Sequence, residues 1–308
     1  MQIVGIGEVL WDVFGKKEFL GGAPLNFCAH AQQLGDNTAL VTAVGADARG
    51  QRALDGIRTL GLNTEFVHTV REMATGTAIV QTDAAGNTSF VIERPAAFDC
   101  LTDAESLLDS IHELNPGWIY FGTLAMTNAH TEELLHRIVQ CAPRAQRFYD
   151  MNLRAGHWNL ELVKRLSGLA SVLKLNEAEA EQLALLTFSQ SAFDLERFCR
   201  NWAEEYRIET ICVTLGGDGC AVLHRGSFAR FPGYRIQVAD TVGAGDAFAA
   251  AFLHHLHTGL PMEQAARFAN ALGALVASKN GATPHWDIEE CRQLMAQQSP
   301  NPSSGGMH

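Results

Sequence analysis

Six short apolar runs recur along the chain, separated by longer amphipathic stretches, and that alternation decides the fold class. The runs are residues 2–7 (QIVGIG), 39–45 (ALVTAVG), 117–124 (GWIYFGTL), 147–152 (RFYDMN), 171–176 (SVLKLN) and 210–216 (TICVTLG). Each reads as a strand buried on both faces of a parallel sheet. Between them, residues 26–34, 51–60, 131–140 and 178–185 are helix candidates, and residues 247–279 read as two helices parted by Gly259-Leu260-Pro261. A βαβα order predicts an α/β fold, a doubly wound, mostly parallel sheet with helices on both faces. One segment breaks the rhythm. Residues 77–93 read as two strands joined by a turn around Gly86-Asn87. Together with the stretch near Asp12–Leu20 they are expected to form a small β-lid over the carboxyl ends of the strands. The expected organisation is one domain over residues 1–298, with the lid from about 12–20 and 75–98 inserted in it, and a disordered tail over 299–308.

Composition narrows the partners. With 308 residues, 47% hydrophobic and 19% charged, the chain has material for a sizeable core. A formal net charge of -11 without a lysine- or arginine-rich run argues against a nucleic-acid partner. An anionic ligand stays open, because backbone N–H groups and a metal ion also hold phosphates. The seven cysteines form no C-x-x-C pair, as expected of reduced thiols. The opening MQIVGIGEVLWDVF lacks a basic region and carries Glu8 and Asp12, so no signal peptide is expected. No run approaches the roughly 18 apolar residues of a membrane span, and a cytoplasmic location is expected.

The chemistry concentrates in residues 240–253, DTVGAGDAFAAAFL. Gly243-Ala244-Gly245 precedes an alanine-rich, strongly helical run, so bare N–H groups at the start of a helix can form an anion site. Asp246 puts a carboxylate where an anion should sit. Taken alone it is either a helix cap or a general base beside an anion hole. Asn26 alone is equally a helix cap, and Asp12 alone a turn residue. Other signals are weak. Leu10 occupies the third glycine position after Gly5-x-Gly7, so the dinucleotide fingerprint of a nicotinamide oxidoreductase fails. No P-loop or protein-kinase motif set is present. His254-His255-x-His257 lacks an H-E-x-x-H or a cysteine pair and reads as a helix face rather than a zinc site.

The stretch DTVGAGDAFAAAFL closely resembles the C-terminal motif of the ribokinase-like (PfkB-type) carbohydrate kinases, and residues 20–35, LGGAPLNFCAHAQQLG, resemble the family's G-G-x-x-x-N motif. The resemblance covers nearly the whole chain in the right order. It implies ATP-dependent phosphorylation of a sugar hydroxyl. Asp246 then falls on the catalytic base, and the amides of Gly243, Ala244, Gly245 and Asp246 fall on the anion hole. Thr214, Gly216, Gly217 and Gly219 match the T-L-G-x-x-G element beside the ATP phosphates, and Asn270 lies where the family lines the adenine pocket. Asn176 and Glu179 match an N-x-x-E element linked indirectly to Mg2+; Asp150-x-Asn152-x-Arg154 matches D-x-N-x-R, with Arg154 on the substrate side. The resemblance places Asp12, Gly22 and Asn26 on the sugar hydroxyls and Phe90 on the lid above them. Potassium as an activator would be held by Asp240, the carbonyl of Val242 and carbonyls near Gly281. A homodimer through the lid is a further expectation.

The opening GEVLWD…LGGAPLNF most resembles bacterial fructokinases; Ala23-Pro24-Leu25 departs from the G-G-K-G-A-N of ribokinases. No basic cluster near these motifs suggests a phosphorylated sugar. D-fructose is the expected substrate and D-fructose 6-phosphate the product, with ribose or 2-keto-3-deoxygluconate as alternatives. A non-catalytic sugar- or nucleotide-binding protein is the rival of a different class, and it has little reason to keep Asp246 with both glycines and N-x-x-E.

Overall fold

The structure, a computed structural model, describes residues 1–82, 88–101, 105–187 and 193–297, with the side chains of residues 80–90 set aside. The turn around Gly86-Asn87, the side chain of Phe90 and the tail over 299–308 lie outside what is described. The first half of the chain forms β1 (Gln2–Ile6), β2 (Leu10–Phe14), β3 (Lys17–Gly21), α1 (Ala23–Gln33), β4 (Asn37–Gly45), α2 (Ala48–Thr59), β5 (Val67–Val70), β6 (Gly76–Thr82), β7 (Thr88–Ile92), α3 (Glu105–Leu114), β8 (Trp118–Gly122), α4 (Ala129–Cys141) and β9 (Gln146–Asp150). Then come α5 (Leu160–Leu169), β10 (Val172–Asn176), α6 (Glu177–Thr187), α7 (Leu195–Tyr206), β11 (Thr210–Thr214), β12 (Cys220–His224), β13 (Ser227–Phe231), α8 (Ala244–His257), α9 (Met262–Ala277) and α10 (Ile288–Gln297).

All six runs singled out above are strands of one sheet, ordered β13-β12-β11-β10-β9-β8-β1-β4-β5, and they pair in parallel. The hairpin β12–β13 extends that sheet antiparallel to β11 and was not anticipated; neither was β5. Successive side chains feed opposite faces, as the two-residue strand period requires. Tyr120 and Phe148 go to the face covered by α1, α2, α8 and α9, while Phe121 and Tyr149 go to the face covered by α3 to α7. Each set stacks within its own layer: Phe27 on Tyr120 at 3.8 Å between ring centroids, and Phe121 on Tyr149 at 5.2 Å.

Two helices start earlier than the periodicity suggested. α1 begins at Ala23 because Pro24 is tolerated in a first turn, where its missing N–H costs nothing. α8 begins at Ala244, so the glycine motif opens the helix itself. A second, four-stranded sheet, ordered β3-β2-β6-β7, is built from two hairpins joined by a parallel β2–β6 pairing. In the chain its first strand, β2, starts at Leu10 with only three residues between it and the end of β1 at Ile6, so the small sheet begins at that strand's carboxyl end. No helix among the described residues is long and apolar enough to cross a membrane.

Candidate active site

In a parallel sheet the strand carboxyl ends share one edge, and ligands gather outside it. Here that edge and the small sheet enclose a cavity of about 310 Å³. Glu8 and Asp12 enter it from the β1–β2 connection and β2, Gly22 and Asn26 from the start of α1, and Asn152 and Arg154 from the loop after β9. Thr241, Val242, Gly243, Gly245 and Asp246 come from the start of α8, and Ala78 and Ile92 of the small sheet close the opposite wall. Gly22 has a φ of 119°, and a Cβ there would lie 2.4 Å from the Glu8 carbonyl oxygen, so the turn accepts only glycine.

Asp246 is 9% exposed and sits on the first turn of α8, behind the cap position taken by Gly243 at φ 79°. No side chain caps this helix, so Asp246 is not the cap its sequence position allowed. Instead Asn26 Nδ2 donates to Asp246 Oδ2 at 2.8 Å, joining positions 220 residues apart. The Ala244 N–H donates to Thr241 O at 3.3 Å, while the N–H groups of Gly245 and Asp246 belong to the first turn and have no acceptor within the helix. Beneath them lies a fully buried ion pair. Lys174 Nζ is 2.9 Å from Asp150 Oδ1, and Tyr120 Oη donates to Asp150 Oδ2 at 3.0 Å. A Cβ on Gly245 would come within 3.2 Å of Lys174 Nζ, so the lysine abuts the glycine turn from below.

Three carboxyl groups around the cavity are shifted upward. Burial pushes Asp246 to about 6, Asp150 adds to the shift, and Lys174 and the Asn26 hydrogen bond oppose it. Burial also takes Asp12 to about 6 and Glu8 to about 7, with Arg154 opposing both. Carboxyls tuned toward neutrality and converging on one cavity suit proton transfer.

Of the residues expected on the nucleotide side, Asn176, Thr214 and the glycines lie at and just after the ends of β10 and β11 and Asn270 lies within α9, all outside the cavity lining. Thr214 ends β11; Gly216 and Gly217 form a tight turn closed at Gly219, φ 99°, whose carbonyl accepts from the Leu215 N–H at 2.8 Å. Asn270 Nδ2 donates to the carbonyls of Phe231 and Pro232, both at 3.1 Å, tying α9 to the loop after β13. Asn176 and Glu179 cap α6 reciprocally: the Glu179 N–H donates to Asn176 Oδ1 at 2.9 Å and the Asn176 N–H to Glu179 Oε2 at 2.8 Å. Glu179 Oε1 accepts from the Leu153 N–H at 2.7 Å, so both its oxygens hold backbone. Asp240 gathers the N–H groups of Val242 and Gly281 at 3.0 and 3.2 Å, which brings the three positions proposed for a monovalent cation together.

The pattern of the pfkB family carbohydrate kinases matches residues 7–289. The chain belongs to that family. It is 31% identical to Fructokinase-1 of Oryza sativa subsp. japonica over 291 residues, covering 89% of this chain and 88% of that one. The crystal structure of a fructokinase with bound ATP from Xylella fastidiosa is similar with a TM-score of 0.85 at 25% identity, over 97% of this chain and 99% of that one. A 2-dehydro-3-deoxygluconokinase from Thermotoga maritima shares the fold with a TM-score of 0.81 at 21% identity, over 96% and 99% of the two chains.

Asp12, Gly22, Asn26, Arg154, Val242, Gly243, Gly245 and Asp246 of this carbohydrate kinase all line one cavity. The sequence reading missed Lys174 and gave Glu8 no role. Lys174 had a signal, since a lysine inside an apolar strand run is buried only with a partner. A larger cavity of about 590 Å³ is lined by residues of α4, α5, the loops before them and the segment after β7. Its cations Arg94 and Arg165 are already paired with Asp99 and Glu132, and it takes in none of the residues singled out from the sequence. His254 and His255 bond to Asp36 and to the Ala251 carbonyl, and among the described residues no cluster suited to a metal ion occurs.

Proposed function

We propose that this kinase transfers the γ-phosphoryl group of ATP to a hydroxyl of D-fructose, giving D-fructose 6-phosphate and ADP. The observation that carries the reading is Asp246 itself, buried at the start of α8 beside first-turn N–H groups and facing a polar cavity. Asn26 occupies Oδ2, so Oδ1 is the oxygen left to take the hydroxyl proton. As the sugar O–H bond breaks, its oxygen bonds to the γ-phosphorus and the bond to the β-phosphate oxygen breaks, releasing ADP. A weak base suffices, because the hydroxyl acidifies late in a loose transition state. The N–H groups of Gly245 and Asp246 are the donors placed to stabilise the transferring group, with Gly243 and Ala244 shaping the turn. Magnesium, when bound with ATP, neutralises phosphate charge; Glu179, fully engaged by backbone N–H groups, would act on it only indirectly.

Fructose is supported by the G-G-A-P-x-N opening and by the fructokinases among the relatives. Arg154, the one cation lining the cavity among the described residues, favours a second reading in which an acidic sugar such as 2-keto-3-deoxygluconate places its carboxylate there. We place potassium at Asp240, Val242 and Gly281, and a lid role with homodimer formation on the small sheet. The enzyme is assigned to the cytoplasm, in keeping with its seven unpaired cysteines.

The test is ADP release with magnesium, ATP and potassium across fructose, ribose, 2-keto-3-deoxygluconate, adenosine and fructose 6-phosphate. Turnover on fructose is expected, and Asp246→Asn is expected to lower kcat by on the order of 10² or more while sugar binding persists. Turnover on 2-keto-3-deoxygluconate alone selects the second reading. Near-normal turnover in Asp246→Asn removes the base.

A further inference from the structure

Glu8 leaves β1 through Gly7 and is 6% exposed on the cavity wall. Burying a carboxyl group is costly unless it finds partners. Part of the group is accounted for: the backbone N–H groups of Glu8 itself and of Ala23, the first residue of α1, favour its ionised form against burial. Its Oε2 is buried and has no hydrogen-bond partner among the described residues. Two more buried atoms on the same cavity are in that state, Asn26 Oδ1 and Asn152 Nδ2. Native structures leave few buried polar atoms unpaired, and those they leave call for a cause. Two acceptors and one donor around a small cavity match neighbouring hydroxyl groups, each of which donates once and accepts as well.

Resting on the sugar-kinase reading, we propose that Glu8 is a specificity-determining residue whose Oε2 accepts a hydrogen bond from a sugar hydroxyl other than the one phosphorylated. The reacting hydroxyl belongs to Asp246, whose Oδ1 is free to take its proton. Glu8 reaches a different hydroxyl, because it lines the cavity from the β1–β2 connection, whereas Asp246 enters it from the first turn of α8. A sugar lacking that hydroxyl leaves the carboxyl oxygen unpaired in the closed complex. A site built to hydrogen-bond a hydroxyl rejects such an analogue strongly.

The test compares wild type with Glu8→Gln, which keeps the shape and an acceptor for the Ala23 N–H but replaces the second oxygen by an NH2 donor. KM, kcat and melting temperature are measured for the sugar that turns over and for its monodeoxy analogues. Measured well above the carboxyl's pKa of about 7, where the group is ionised, KM for the parent sugar is expected to rise roughly 10- to 100-fold, the loss of one hydrogen bond to a charged group. One monodeoxy analogue is expected to show the same KM in both proteins, which names the hydroxyl. An unchanged KM, or an equal rise for every analogue with a lower melting temperature, overturns the proposal and leaves Glu8 as a helix cap. A wild type that turns over none of the sugars overturns the kinase reading instead. Calorimetric titration of fructose into both proteins then decides on Glu8, and equal affinity or equal absence of binding overturns it.

Discussion

As the proposed base, Asp246 acts only when ionised, and its neighbours decide the pH at which that happens. Burial and Asp150 raise its pKa to about 6 against the pull of Lys174 and Asn26. Because the raised pKa favours the protonated form, kcat/KM is expected to fall as pH drops through about 6. Asp12 titrates near the same pH and Glu8 near 7, so the limb is to be measured in the double variant Asp12→Asn, Glu8→Gln as well, where it should persist. A profile flat down to about pH 5 in that variant would remove Asp246 as the base. The Lys174–Asp150 pair has a place in this account. A cation under the glycine turn offsets a carboxylate that would otherwise push Asp246 still higher.

At the scale of elements, the site depends on how α8 begins. Gly243 lies in the left-handed region, and a Cβ there would fall 2.1 Å from the Ala282 carbonyl oxygen. Gly243→Ala must therefore displace the 281–282 turn or tilt the first turn of α8. A 1 Å misplacement at a reacting centre costs up to about 10²-fold in rate, so kcat is expected to fall far more than thermal stability does. Wild-type kcat in this variant would mean that the turn does not position the transferring group. The neighbouring Asp240 draws the Val242 and Gly281 turns together, and a potassium ion there would brace the same start of α8. Faster turnover in potassium than in sodium is expected; equal rates in potassium, sodium and neither would exclude that ion.

On the scale of the molecule, the small sheet carries an exposed apolar patch. Phe14, Phe19 and Val91 are 39%, 48% and 45% exposed, and Phe14 packs edge-on against Phe19 at 5.8 Å. Its outermost strands, β3 and β7, have no further strand beside them among the described residues. A second copy offers the same surface about a two-fold axis and would cover both. Sedimentation is expected to give a dimer for the wild type and a monomer for Phe19→Asp. A monomeric wild type at micromolar concentration would assign the exposed rings another partner.

The parallel sheet, the helices on its two faces and the glycine turn before α8 were legible in the sequence because each is written in a few adjacent residues. Apolar runs specify buried strands, and Gly243-Ala244-Gly245 permits a turn that other residues resist. Local signals misled at helix boundaries, where Pro24 and Gly245 belong to helices they were expected to precede. The hairpin β12–β13 escaped because a strand pairs with whatever the fold sets beside it. Tertiary structure alone decided the rest. It joined Asn26 to Asp246, set Lys174 against Asp150, spent both oxygens of Glu179 on backbone and left Oε2 of Glu8 unpaired in the cavity. Burial and charge act between segments remote along the chain. The ionisation and partners of a side chain are therefore set only when those segments meet.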